Sequence, residues 1–135
     1  KEHARREGLG NVTFMGAIPD ADKIALLTLC YGVVFPSHLR AEAFGVSLLE
    51  GAMFGKPMIS SEIGTGTSHV NVGGVTGLVV PPGDAAALRG ALARLLDEPA
   101  LAQQMGRNAR ARYLELFRAE QMCASYAELY RSVLR

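Results

Sequence analysis

No stretch of this sequence reaches the roughly 18 consecutive apolar residues that a membrane-spanning helix needs, and no signal peptide is visible. Cysteine is scarce. Cys30 and Cys123 lie far apart, each in an apolar helical pattern. That usage predicts buried free thiols in a reducing compartment. Cys30 and the three histidines show no zinc-type spacing. Charge of either sign is not in excess: 14 Lys and Arg stand against 13 Asp and Glu, a formal net charge of +1. A non-specific nucleic-acid binder would show a basic surplus, so none is expected. Internal repeats and low-complexity segments are absent. No Gly-x-Gly-x-x-Gly follows a strand, which argues against an oxidoreductase on a dinucleotide-binding sheet.

What is present is a core. With 135 residues, 49% hydrophobic and 20% charged, the chain is long enough for one globular domain spanning 1–135 and too apolar to be disordered. It starts at Lys1, without a methionine and inside a helical pattern, so it is expected to be a piece of a longer protein.

Along the chain, residues 1–9 read as the end of a helix stopped by glycine. Asn11–Met15 is a short β-rich run closed by Gly16. Pro19-Asp20 opens a helix over 20–30, with Ile24, Leu27 and Cys30 on one face. Residues 32–35 form a second apolar strand, followed by a loop over 36–44. A mostly apolar helix runs from Gly45 to Phe54, and Pro57–Ser61 is a third strand. Residues 62–77 are rich in Gly, Thr and Ser and show little periodicity. Residues 77–80 make a fourth strand. Asp84 caps a helix to about Asp97, and 98–134 is helical, with breaks expected near Pro99, Gly106 and Phe117. Continuous apolar strands alternating with helices predict an α/β domain, a Rossmann-like parallel sheet with helices on both faces and a helical C-terminal tail. Ligands of such sheets bind beyond the carboxyl ends of the strands. The loops 16–20, 36–45 and 61–69 therefore carry the functional expectation.

The loop and helix after the second strand stand out. Phe44-Gly45 sits where loop turns into helix, and a glycine there lets a phosphate approach free backbone N–H groups at the positive end of the helix dipole. Glu50 lies more than a turn further on, among Leu48, Leu49, Ala52 and Met53, where burial is costly without a partner. Its carboxylate suits two neighbouring hydroxyls such as those of a ribose. Glu42, ahead of the helix, suits hydroxyls of a sugar held beyond the phosphates. From the residues alone, an amphipathic-helix charge at Glu50 and a solvated loop position at Glu42 stand as equal alternatives.

The run Ser37–Pro57 resembles the donor-site motif of retaining GT-B glycosyltransferases of family 4: two glutamates with seven residues between them, Phe-Gly inside that interval, then Gly-Lys-Pro. Asn11–Gly16 and Gly77–Asp84 are similar to the flanking strands of that family, so the likeness covers nearly the whole chain. It implies the C-terminal half of a GT-B enzyme. Glu42 is implied to contact the donor sugar, the backbone of Phe44, Gly45 and Val46 to contact sugar and phosphate, and Glu50 to bind ribose. The loop after the third strand lines the pocket in the family. Here it reads Ile63-Gly-Thr-Gly-Thr and departs from the usual pattern, with Gly64, Thr65 and Gly66 as its donor-binding candidates.

His38 and Arg40 are further candidates, facing nucleotide or phosphate, with a solvated loop position as the alternative for each. The variant loop, with Pro36-Ser-His-Leu-Arg40, is similar to bacterial mannosyl- and rhamnosyltransferases of surface polysaccharide assembly. That similarity implies a GDP-mannose-like donor and a glycan or lipid-linked acceptor, in lipopolysaccharide synthesis. No cofactor or metal is expected. Asp20-Ala-Asp22 is a literal Asp-x-Asp, but at a helix start it reads as a cap and dipole partner. The family's basic diphosphate ligands and its acceptor-binding domain lie upstream of this chain. The resemblance therefore implies a cytoplasmic enzyme, associated with the inner membrane face at full length, whose isolated piece transfers nothing. The stripe Met122, Tyr126, Leu129, Tyr130 and Val133 reads as core, or as a surface for self-association if the piece stands alone. A GT-B epimerase acting on a UDP-sugar and a non-catalytic nucleotide-binding module are the competing functions.

Overall fold

The computed structural model describes residues 1–134. It contains α1 (Glu2–Arg6), α2 (Asp20–Leu29), β1 (Val33–Phe35), α3 (Val46–Met53), β2 (Met58–Ser61), α4 (Thr67–Val70), β3 (Gly77–Val80), α5 (Ala85–Asp97), α6 (Pro99–Leu116) and α7 (Ala119–Val133). The three strands form one parallel sheet in the order β1-β2-β3, with Val33 opposite Met58 and Met58 opposite Gly77.

Alternation along β2 builds two cores, because successive side chains leave a strand on opposite faces. Met58 packs with Leu48 and Ala52 of α3, Val70 of α4 and Ala109 of α6. Ile59, next in sequence, packs on the other face with Val80, Leu95 of α5, and Ala102 and Met105 of α6. The expected parallel sheet with helices on both faces is thus present. On the Met58 face Ser60 is buried too, and its hydroxyl accepts from Asn71 Nδ2 at 2.9 Å. The same Nδ2 donates to the Leu78 carbonyl at 3.1 Å, and Asn71 Oδ1 accepts from the Thr76 hydroxyl at 3.0 Å. Every buried polar group of this network has a partner, as burial requires.

Four expectations are corrected. Residues 11–15 form no strand, because a strand needs a partner for its ladder and these residues have none among those described; Val12, Phe14 and Met15 remain exposed. Gly106 does not break a helix. It lies buried inside the 18-residue α6, where a Cβ would collide with the carbonyl oxygen of Gly55. Its lack of a side chain permits close packing and does not end the element. A four-residue helix, α4, occupies part of the stretch that lacks periodicity. The thiols are not both buried: Cys30 is half-buried at the end of α2, and Cys123 is exposed on α7. Asp84 does cap α5, accepting the Ala87 N–H at 2.8 Å.

The stripe on α7 is not core. Met122, Tyr126, Leu129, Tyr130 and Val133 are all more than half exposed. Among the described residues no helix is long and apolar enough to cross a membrane.

Candidate functional site

Because all three strands run parallel, their carboxyl ends share one edge, and the loops 36–45, 62–66 and 81–84 meet there. The loop 16–20 does not join them as the end of a strand, since among the described residues no strand precedes it.

The centre of this edge is the start of α3. Gly45 is the N-cap, with φ of +85°, a left-handed conformation that favours glycine. Glu42 folds back onto it: one carboxylate oxygen accepts the Gly45 N–H at 2.8 Å and the Phe44 N–H at 3.3 Å. An anion at the positive end of a helix is electrostatically favourable. It also occupies N–H groups that the sequence reading gave to a phosphate. A phosphate on these same groups would meet the Glu42 charge head-on, so the open N–H groups for an anion are the next two. Among the described residues, Val46 and Ser47 N–H meet no acceptor.

Glu50 is not isolated in an apolar setting, as the sequence suggested. It is part-exposed, and its Oε1 accepts from Lys23 Nζ of α2 at 2.9 Å. Lys23 also lies 3.4 Å from Asp20. Its ammonium is held above its ordinary pKa, chiefly by the hydrogen bond to Glu50, with the charge of Glu50 and then Asp20 adding to it. Asp20 sits in the first turn of α2, at the positive end of the helix dipole. Lys23 was missed because nothing local in the sequence joins positions 27 residues apart. A second lysine ties the other end of α2 to the turn after α3: Lys56 donates to the Thr28 and Cys30 carbonyls, each at 2.8 Å. A cation on the last carbonyls of a helix matches the dipole, and this gives the lysine of Gly55-Lys-Pro57 a structural role.

The loop after β2 is pinned against the Glu42 loop. Gly66 N–H donates to the Ala43 carbonyl at 2.8 Å, and Arg40 reaches across to the Ile63 carbonyl at 3.4 Å, lying beside Gly64. Gly64 N–H donates to Glu62 at 2.9 Å, and Ser68 donates to the same carboxylate at 2.8 Å. These two bonds, the backbone one first, hold the Glu62 pKa below its ordinary value. Thr65 and Thr67 share a hydroxyl contact of 3.3 Å. Arg40, Gly64, Thr65 and Gly66 are therefore brought to the same edge as Glu42, Phe44, Gly45 and Val46. His38 lines a separate open cleft of about 190 Å³ with Pro36, Ser61, Val80 and Asp84.

Phe44 is braced from behind. Its ring meets Phe117 edge-on at 6.1 Å, and Phe117 meets His69 at 5.5 Å. Arg112 lies over the Phe117 ring and donates to the His69 carbonyl at 2.8 Å. Phe117 was read only as a helix break. Its part in holding the Phe44-Gly45 turn follows from the close packing of α6 along α3 and is not encoded in a local pattern.

Comparison with known proteins gives the chain's family and fold. Residues 1–112 match the family model described as glycosyl transferases group 1. The chain is 65% identical over 112 residues to the D-rhamnosyltransferase WbpZ of Pseudomonas aeruginosa, covering 83% of this chain and 29% of that protein. It is 48% identical over 134 residues to the O-antigen chain mannosyltransferase C of Escherichia coli, covering 99% and 36%. It spans about a third of the length of these relatives. Among solved structures, sucrose-phosphate synthase from Thermosynechococcus elongatus superposes with a TM-score of 0.87 at 34% identity, over 98% of this chain and 33% of that one. The Anabaena protein HepE in complex with UDP-glucose superposes at 0.86 with 25% identity, over 97% and 35%.

Proposed function

The chain belongs to the glycosyl transferases group 1 family, with the fold of a GT-B C-terminal domain, and from that premise we propose that it supplies the donor half of an enzyme that moves a sugar from a nucleotide-sugar to a glycan or lipid-linked acceptor. The observation that carries this reading is the pairing of Glu42 with the Phe44 and Gly45 N–H groups. The two N–H groups hold Oε1 of Glu42, and among the described residues nothing reaches Oε2, which is left as an acceptor for a sugar hydroxyl. Phosphate fits it poorly and sugar fits it well.

The remaining parts fall in line along α3. Glu50 lies five residues beyond Gly45, roughly 7 Å along the axis. Two phosphates bridge such a gap, and the open N–H groups of Val46 and Ser47, at the positive end of the helix, face the charge that grows on the leaving diphosphate. Glu50 takes the ribose hydroxyls. Arg40 and the turn Gly64-Thr65-Gly66 close the pocket from the β2 side, and His38 lies beside it toward the nucleotide. The reaction retains anomeric configuration, and no metal or cofactor is required.

The two bacterial relatives are named for D-rhamnosyl transfer and for O-antigen mannosyl transfer, which supports a mannose-like or rhamnose-like donor sugar and a role in O-antigen or related surface polysaccharide synthesis; a GDP carrier and a place in the cytoplasm at the inner membrane face complete the proposal. The UDP-glucose bound to the Anabaena neighbour makes UDP-sugars the alternative. A thermal-shift panel of GDP-, UDP- and ADP-sugars on the full-length protein tests the reading, since a ligand that binds only the folded state stabilises it by mass action. Stabilisation by a GDP-sugar above the others is expected. No shift with any nucleotide-sugar would end the proposal.

A further inference from the structure

We propose that Lys23 is a positioning residue for the nucleoside end of the donor, holding Glu50 so that its second carboxylate oxygen is presented to the ribose hydroxyls. The inference rests on Glu50 being the ribose ligand. It adds a residue on a different helix that the motif itself does not contain.

Three observations carry it. Lys23 Nζ holds Oε1 of Glu50 at 2.9 Å, and among the described residues no other donor reaches that carboxylate, so Oε2 is open. Glu50 stands on α3 with Leu49 and Met53 beside it, and neither has a polar atom to fix its rotamer. Lys23 also lies 3.4 Å from Asp20, one turn back on α2, so the ammonium sits between two carboxylates.

The pair is also poorly suited to a purely stabilising role. The two side chains are 42% and 30% exposed, and ion pairs this wet contribute little to folding because solvent screens them and side-chain entropy is lost. Orientation is a different matter. A carboxylate that accepts from an ammonium on one oxygen has less rotation to lose when the ligand arrives, and preorganised groups bind more tightly. An ionised carboxylate is an acceptor only and selects hydroxyl donors.

The experiment uses the full-length protein, with GDP or UDP, whichever the wild type binds, titrated calorimetrically beside its 2′,3′-dideoxy counterpart. Lys23→Met is expected to weaken the ribonucleotide about tenfold, the scale of one charge-assisted hydrogen bond, and to leave the dideoxynucleotide within about twofold. Lys23→Arg is expected to restore the difference. The thermal midpoint should stay near wild type throughout. If Glu50→Gln abolishes ribose discrimination and Lys23→Met leaves it intact, the positioning role is wrong and Glu50 keeps its assignment. If Glu50→Gln itself changes nothing, or the wild type binds neither nucleotide, the donor-site reading fails and the role of Lys23 fails with it.

Discussion

Gly106 of α6 lies directly against the carbonyl oxygen of Gly55, the residue that turns the chain out of α3 and into Lys56-Pro57. This contact lets α6 run along α3 and carry Ala109 into the core beside Leu48 and Ala52 of α3. It also explains an 18-residue helix with a glycine at its middle.

Gly106→Val is accordingly expected to destabilise the protein by at least about 2 kcal/mol through overpacking. Gly90 on α5 is the control: a Cβ there meets nothing. Gly90→Ala should stabilise by about 0.5–1 kcal/mol, because alanine loses less backbone entropy in a helix. Urea denaturation of both variants measures the contrast. Equal effects would refute the close-packing account of Gly106.

Asn71 joins Ser60, Leu78 and Thr76 in a closed buried network. Asn71→Leu strands several of those groups, each costing about 1–3 kcal/mol when unsatisfied. A loss of roughly 3 kcal/mol or more in unfolding free energy is expected, and a loss below 1 would mean that water replaces the asparagine at little cost.

Glu62 has its folded-state pKa lowered by the Gly64 N–H and the Ser68 hydroxyl. A depressed carboxylate contributes stability above its unfolded value, and that contribution is lost as pH falls through the folded value. The protein should therefore lose stability below about pH 4.5, the ordinary value of this group. Glu62→Gln should flatten that limb in a series of thermal midpoints. An unchanged acid limb would show that the bonds seen here do not discriminate the ionised form.

The 135-residue chain by itself is expected to self-associate through α7, where Tyr126, Leu129 and Tyr130 stand more than half exposed on one side. Analytical ultracentrifugation should show concentration-dependent mass that Leu129→Glu reverses. A monomer at all concentrations would contradict it.

The sheet and the loop leading into α3 were legible in the sequence for definite reasons. Val33–Phe35 and Gly77–Val80 are short apolar runs bounded by Gly and Pro, and Glu42, Phe44-Gly45 and Glu50 fall in one local pattern. Partners contributed by other elements were not legible. The hydrogen bond from Lys23 to Glu50, the packing of Phe117 behind Phe44 and the contact of Gly106 with Gly55 each join residues far apart in the chain. Residues 11–15 show the converse: β propensity is there, but a strand exists only with a neighbour to bond to. Glu42 was read correctly as a loop residue at the helix start. Its occupation of the Gly45 N–H was not foreseen, because side-chain direction on an irregular loop leaves no periodic trace.

The central claim is that Glu42, held in place by the Gly45 N–H, accepts a sugar hydroxyl. The most direct measurement is Glu42→Ala in the full-length protein, assayed for sugar transfer from the nucleotide-sugar and titrated with the bare nucleoside diphosphate. Transfer should fall by about 100-fold, the loss of a charged hydrogen bond at the reacting sugar, while the diphosphate still binds within about twofold. Transfer at the wild-type rate, or equal loss of diphosphate binding, would contradict the assignment.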